Sequence, residues 1–269
     1  MRDKTNIRKL LTALFLLLPA AGQAMDNPVQ LTVLNGWRNA DGSHVAGIRL
    51  DLDEGWKTYW RAPGEGGIPP FFDLVTSDNL RDFEVIWPTP IVFDQSGLRS
   101  VGYEHSVVLP LLFWPQDGTK DITLNGTIDI GVCNDICLPV ALDLSAALSA
   151  EQAKRDTALL GAMAARPFSS EEASVTKSTC RLTPTDGGAT LTATVTMPST
   201  GGTEHVIFET SNPDIWIDEP HSQREGETLL GVAELVSMSG RAIMVNRSDI
   251  RITVIGTDYA VDIQGCVGG

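Results

Sequence analysis

The feature that most constrains the fold of this chain is a repeated alternation of short apolar segments and turn-forming residues. Between residues 29 and 144, about seven segments rich in β-branched, aromatic or alternating apolar residues are separated by stretches such as Asn-Ala-Asp-Gly (39–42) and Gln-Asp-Gly (116–118). No helical periodicity interrupts this region. The pattern is typical of an antiparallel β-sandwich.

The same alternation resumes in the second half, after a polar linker. Between the halves, Ser149–Gln152 has the form of a capping box, an Ala- and Leu-rich segment follows to Ala165, and Arg166-Pro167 ends it. The sequence therefore predicts an all-β protein of two β-sandwich domains joined by one helix. The predicted boundaries are 25–147 for the first domain, 148–168 for the linker helix and 169–269 for the second domain.

The first 24 residues have the features of a secretory signal peptide. A positively charged amino terminus precedes the apolar run LLTALFLLLPAA, and the small residues Gly22 and Ala24 lie at the cleavage position. The apolar run is too short for a membrane-spanning helix. No later segment contains about 18 consecutive apolar residues. We therefore predict an exported protein that is soluble after residues 1–24 are removed.

The net charge excludes several classes of partner. The chain has 20 Lys and Arg against 34 Asp and Glu, which gives a net charge of −14. Loss of the signal peptide removes four positive charges and one negative charge and leaves −17. Such a protein is repelled by phosphate backbones and anionic lipids. The Gly-rich segment 64–70 is followed by no helical pattern, so we expect neither nucleic acid nor nucleotide binding.

The four cysteines all lie in the exported part of the chain, where disulfides persist. Cys133 and Cys137 flank a predicted turn and are close enough to be bridged. Closing that loop of about 5 residues stabilises the fold by about 2 kcal/mol, whereas a bridge from Cys180 to Cys266 contributes about 4.5 kcal/mol. We therefore predict that Cys180–Cys266 is a structural disulfide.

The short pair admits three interpretations. It is a redox disulfide that opens to an attacking thiolate, a local clip on a hairpin, or a pair of thiolates that holds Cu(I). No Lys, Arg or His lies within four residues of either cysteine, and Asp135 lies between them. A nearby negative charge disfavours the thiolate. If the pair is redox-active, this environment predicts a reducing couple rather than a strong oxidant.

Four segments together resemble a known family. GWKTYWRAPGEGGIPP, WPTPIVFDQSGLRSVGY, VVLPLLF and IGVCNDICLPV occur in the order found in the amino-terminal periplasmic domain of DsbD-type protein-disulfide reductases. The two-part ectodomains of the ScsB-like branch are the most similar. The resemblance covers residues 36–145 closely and the second half more loosely. It implies immunoglobulin-like sandwiches, a periplasmic location and no cofactor.

The resemblance also implies the site residues. Cys133 and Cys137 match the redox pair of the family, and Cys137 is implied as the cysteine that attacks or is attacked in the mixed disulfide. The segment from Phe93 to Tyr103 matches a cap loop that shields the pair. The other implied residues are Phe93 or Leu98 as apolar lid, Asp94 as an acid tuning the thiolate, Tyr59 as aromatic lining and Pro139 after the pair.

The implied activity is that of a thiol-disulfide oxidoreductase of the protein-disulfide reductase type. Family members continue into a membrane domain and a thioredoxin-like domain that this sequence does not contain. We therefore expect a membrane-embedded thiol reductant in trans as electron donor and periplasmic thiol-disulfide proteins as clients. The alternative is a non-catalytic periplasmic binding or copper-tolerance module in which both disulfides are purely structural.

Overall fold

The computed structural model describes residues 27–95, 97–151 and 153–269. The predicted signal peptide, residues 1–24, lies outside this part of the chain. The described residues are mostly β, with four sheets that form two sandwich-like bodies separated by one short α-helix, so the predicted fold class is confirmed. Among these residues, no helix is long and apolar enough to cross a membrane.

Within the described residues, ten strands form the first body. They are β1 (Val29–Arg38), β2 (His44–Leu52), β3 (Lys57–Tyr59), β4 (Phe71–Asp73), β5 (Leu80–Val85), β6 (Ile91–Gln95), β7 (Leu98–Glu104), β8 (Ser106–Pro115), β9 (Ile122–Cys133) and β10 (Cys137–Leu148). One sheet has the order β1-β2-β8-β5 and the other the order β10-β9-β3-β7-β6, with β4 also paired to β9. The apolar faces of the two sheets enclose a core that includes Trp60, Phe113 and Ile128.

The helix between the bodies, α1 (Thr157–Ala164), is shorter than the predicted linker 148–168. Asp156 is its N-cap, and its carboxylate accepts hydrogen bonds from two backbone amides of the first turn at 2.8 and 3.1 Å. The predicted capping box at Ser149 is wrong. The hydroxyl of Ser149 accepts from the Glu151 amide instead, and the neighbouring Ala150 amide is bound to the first body.

The second body contains ten further strands and a 3-10 helix among the described residues. They are β11 (Phe168–Ser169), β12 (Lys177–Thr185), β13 (Gly188–Thr196), β14 (His205–Thr210), β15 (Ile215–Ile217), β16 (His221–Glu225), β17 (Thr228–Ser237), the 3-10 helix (Arg247–Asp249), β18 (Ile250–Ile255), β19 (Ala260–Gln264) and β20 (Val267–Gly268). The sheet orders are β11-β19-β18-β14 and β15-β17-β13-β12-β20, with β16 also paired to β17. A disulfide joins Cys180 on β12 to Cys266, between β19 and β20.

The two bodies share an apolar interface. Ile207, Ile255 and Ala260 of the second body belong to the same buried cluster as the core of the first. At the edge of this interface, Arg61 of the first body donates two hydrogen bonds to the carboxylate of Glu209, at 2.9 and 3.0 Å. The second body is therefore packed directly against the sheet that carries the cysteine pair.

Candidate redox site

The short cysteine pair lies at the end of a long β-hairpin. Strands β9 and β10 pair in continuous antiparallel register from Leu148 opposite Ile122 to Cys137 opposite Cys133. The turn is closed by a hydrogen bond from the Asn134 amide to the Ile136 carbonyl at 3.0 Å. A disulfide joins the two cysteines, whose Cα atoms are 4.1 Å apart. The twelve-residue strands thus fix the position of both sulfurs at one end of the sandwich.

The two cysteines differ in their access to solvent. Cys133 is 0 % exposed because β3 covers it on the side away from β10. Cys137 is exposed, and the preceding Ile136 is 54 % exposed. A thiolate on another protein can therefore reach the sulfur of Cys137, whereas the sulfur of Cys133 is shielded.

Polar groups from two other strands contact the disulfide. The Tyr59 hydroxyl lies 2.7 Å from the Cys133 sulfur and 3.5 Å from the Cys137 sulfur. The Gln95 amide donates to the Cys137 sulfur at 3.4 Å, and its carbonyl lies 3.0 Å from the Tyr59 hydroxyl. Burial raises the pKa of Tyr59, and its single hydroxyl proton has three acceptors within reach: the Cys133 sulfur, the Gln95 carbonyl and the Gly66 carbonyl at 3.2 Å. The site thus places two hydrogen-bond donors against the reacting atoms.

Tyr59 is held in place by close packing. It is only 2 % exposed, and its ring stacks on Phe93 with the ring centroids 6.5 Å apart. On its other side the ring lies over Gly131 of β9, where an added Cβ would come within 3.0 Å of the Tyr59 ring and 2.6 Å of Ile68. Glycine at this position therefore allows the tyrosine to reach the cysteines.

The predicted cap, Phe93 to Tyr103, is a β-hairpin rather than an irregular loop. Strand β6 brings in Phe93 and Gln95 on the face directed at Tyr59, because side chains two residues apart share a face. Asp94 therefore lies on the opposite face, where its carboxylate accepts from the Gly97 amide at 3.1 Å. It stabilises the turn of the hairpin and does not contact either sulfur.

The remaining predicted residues lie at different distances from the pair. Leu98 is at the hairpin tip opposite Gln95 and is exposed, and Pro139 is exposed on β10. Tyr103 does not line the site. It is buried in the core, where its hydroxyl donates to the Pro88 carbonyl at 2.8 Å and burial raises its pKa.

Sequence reasoning missed two residues of the site. These are Gln95 and Lys57. Lys57 on β3 lies directly opposite Cys133 on β9. Its ammonium group lies 5.4 Å from the centroid of the Phe93 ring and 3.3 Å from the Glu104 carboxylate. Gln95 is two positions away from Phe93 on the same strand, so strand periodicity could have identified it, whereas the position of Lys57 beside Cys133 depends on the pairing of β3 with β9.

Comparisons with known proteins show what the chain is similar to. Residues 30–148 match the family model described as thiol:disulfide interchange protein DsbD, N-terminal. The N-terminal periplasmic domain of ScsB from Proteus mirabilis has a similar structure, with a TM-score of 0.66 and 22 % identity over 89 % of this chain and 92 % of that chain. The reduced N-terminal domain of DsbD from Neisseria meningitidis covers 45 % of this chain and 84 % of that chain, with 14 % identity and a TM-score of 0.27. No curated protein matches the chain.

The matched residues include β9 and β10, which carry the cysteine pair, and β6 and β7, which form the hairpin beside it. They also include β3, which carries Tyr59. Residues 30–148, which make up most of the first body, are therefore similar to the family of the DsbD N-terminal domain.

Proposed function

We propose that this protein is a periplasmic thiol-disulfide interchange module that carries electrons from a membrane-embedded thiol reductant to disulfides of exported proteins. The observation that carries the proposal is the asymmetry of the disulfide. The sulfur of Cys137 is open to a partner, while the sulfur of Cys133 is buried beside the Tyr59 hydroxyl. An exposed sulfur to attack and a stabilised sulfur to leave are what thiol-disulfide exchange requires.

Loading of electrons begins when a thiolate of the reductant attacks the Cys137 sulfur. The bond between Cys133 and Cys137 breaks, and Cys133 leaves with the electron pair as a thiolate that accepts the hydrogen bond from Tyr59. The second thiolate of the reductant then attacks its own sulfur in the mixed disulfide and releases Cys137. The reductant departs as a disulfide, and this protein has gained two electrons and, after protonation, two thiols.

Delivery is the reverse sequence with a different partner. The accessible Cys137 thiolate attacks a client disulfide, and one client sulfur leaves as a thiolate. Cys133 then attacks the Cys137 sulfur, re-forms the intramolecular disulfide and releases the second client thiolate. The short separation of four residues between the cysteines favours this second attack, because the resolving thiol is always near its target.

In this proposal the redox domain comprises residues 25–147, residues 148–168 are the linker, and residues 169–269 form a domain that supports the first. The likeness in fold to a periplasmic domain of ScsB supports the periplasmic location. Cys180–Cys266 is a structural disulfide in the second domain and takes no part in the exchange.

The test is a glutathione redox titration of the mature protein, with alkylation and peptide mass mapping of each cysteine. We expect Cys133–Cys137 to titrate as a two-electron couple between about −200 and −280 mV, while Cys180–Cys266 stays oxidised. Resistance of both pairs to reduction below about −300 mV would mean that both are structural. The protein would then be a binding module rather than an oxidoreductase.

A further inference from the structure

The side chain of Arg99 ties the hairpin that covers one side of the redox pair to the second body. Arg99 lies on β7 opposite Asp94, so it is on the face away from Phe93 and Gln95. Its Nε is 3.2 Å from the Glu219 carboxylate, and its Nη2 donates to the Pro220 carbonyl at 2.9 Å. Its Nη1 lies 3.5 Å from Nδ1 of a third second-body residue, His205.

These contacts are well placed to control the hairpin. The Arg99 side chain is 16 % exposed and that of Glu219 is 37 % exposed, so the ion pair is shielded from solvent on the Arg99 side only. In the described part of the chain, β6 is the outermost strand of its sheet and has a strand neighbour only in β7. A cavity of about 360 Å³, lined by residues of both bodies including Arg99 and Glu219, lies beside this contact. The cavity therefore leaves the hairpin without close packing on this side, while β7 remains paired with β3.

The backbone of Arg99 also contacts the loop that lies against Tyr59. Its carbonyl packs against Gly64, where an added Cβ would come within 2.6 Å of that oxygen and the backbone has a φ of +79°. Two residues further along the same loop, the Gly66 carbonyl lies 3.2 Å from the Tyr59 hydroxyl. A displacement of Arg99 is therefore transmitted to the hairpin and to the loop that contacts Tyr59.

We propose that Arg99 is a positioning residue of the redox site, and that the second body uses Glu219 and Pro220 to hold the β6–β7 hairpin, whose Gln95 contacts the Cys137 sulfur, against one side of the disulfide. The proposal rests on the proposed function, because it assigns the second body a part in controlling thiol-disulfide exchange. Release of Arg99 lets the hairpin move away from the sulfur and widens the access that the exposed Cys137 already offers to attacking thiolates.

The structure offers a matched control for this contact. Glu209 binds Arg61 with two hydrogen bonds across the same interface, and neither residue belongs to the β6–β7 hairpin. Glu219→Gln and Glu209→Gln are therefore isosteric changes, both in the second body, that each remove a carboxylate from an arginine of the first body. Only Glu219→Gln weakens a contact of the hairpin, because it removes the ion pair of Arg99 and leaves its hydrogen bond to the Pro220 carbonyl.

The experiment measures the rate at which dithiothreitol reduces Cys133–Cys137 in the mature protein. In this reaction the two thiols of dithiothreitol become a cyclic disulfide as the protein disulfide becomes two thiols. We expect Glu219→Gln and Arg99→Met to react about threefold to tenfold faster than the wild type. We expect Glu209→Gln to react at the wild-type rate and Arg99→Lys, which retains the charge, to restore most of the protection.

Hydrogen exchange provides a second measurement that does not depend on the redox reaction. Amides of residues 91–100 should exchange faster in Glu219→Gln than in the wild type, while amides of residues 250–255 should not change. Equal effects of Glu219→Gln and Glu209→Gln on both segments would overturn the proposal, as would an unchanged reduction rate in Arg99→Met. A wild-type disulfide that dithiothreitol cannot reduce would refute the proposed function, and the exchange data would still decide the role of Arg99.

Discussion

Removing each disulfide in turn distinguishes a disulfide that stabilises the fold from one that is available for redox exchange. The two double variants are Cys133→Ala/Cys137→Ala and Cys180→Ala/Cys266→Ala. They are well matched in side-chain truncation, because Cys133 and Cys180 are both fully buried and each has a more exposed partner. Any cost of the lost sulfur atoms is therefore similar in the two variants, and the difference between them reports the cross-links.

The magnitude follows from the lengths of chain that the disulfides close. Cys133 and Cys137 are separated by 4 positions, and Cys180 and Cys266 by 86. Because each disulfide reduces the entropy of the unfolded chain, the short one should contribute about 2 kcal/mol to the free energy of unfolding and the long one about 4.5 kcal/mol. The free energy of unfolding should therefore fall by about 2.5 kcal/mol more when the long disulfide is removed.

Urea unfolding followed by circular dichroism and tryptophan fluorescence measures this difference. Five of the six tryptophans lie in the first body and only Trp216 lies in the second, so fluorescence mainly reports the body that carries the short disulfide. Equal losses in the two variants, or a larger loss for the short pair, would refute the reasoning. A short disulfide essential for stability is a clip, and its reduction in every cycle of electron transfer would damage the fold.

Two further predictions concern single groups. Tyr59→Phe should slow reduction by dithiothreitol about tenfold, because a hydrogen bond to a charged group contributes about 1.5–3 kcal/mol and this one stabilises the departing Cys133 thiolate. The control is Tyr259→Phe, which removes a hydroxyl that donates to a backbone carbonyl in the second body. This control should react at the wild-type rate. Burial holds the pKa of His44 and His205 below 6.5, so the unfolded chain binds more protons than the folded protein as the pH falls below 6.5. The free energy of unfolding should therefore fall from pH 7 to pH 5, and His44→Gln should reduce this slope in urea titrations; an unchanged slope would contradict the assignment.

The sandwich architecture was predictable because its signals are local. Strand β13 alternates half-buried and buried residues along its whole length, as its sequence GATLTATVT suggests. The start of the helix was not predictable from such signals. Ser149–Gln152 satisfies the capping-box pattern, but the Ala150 amide binds Asp121, which is 29 residues away in the first body. The helix begins instead after Asp156, whose carboxylate accepts from two amides of the first turn.

In the redox site, the prediction from the sequence was displaced by one residue. The family resemblance implied Asp94 as an acid of the cap loop that tunes the thiolate, whereas in the structure Gln95 contacts the Cys137 sulfur and Asp94 binds the Gly97 amide. Strand periodicity distinguishes the two: if Phe93 faces the site, then Asp94 faces away and Gln95 faces the site. The proximity of Lys57 to Cys133 required the pairing of β3 with β9, which joins residues 76 positions apart. No local pattern in the sequence contains that pairing.

Tyr59 and Arg99 act on different quantities, and that difference can be measured. The Tyr59 hydroxyl contacts the sulfur that changes charge, and a hydrogen bond to a thiolate is stronger than one to a neutral sulfur. Its loss should therefore shift the reduction potential when the pH exceeds the ordinary thiol pKa of about 8.5. Arg99 contacts neither sulfur and controls only access to Cys137. A barrier to access slows reduction and oxidation equally, so Glu219→Gln should accelerate both reactions and leave the potential at the wild-type value. A shifted potential in that variant would mean that the second body stabilises one redox state, which a barrier to access cannot do.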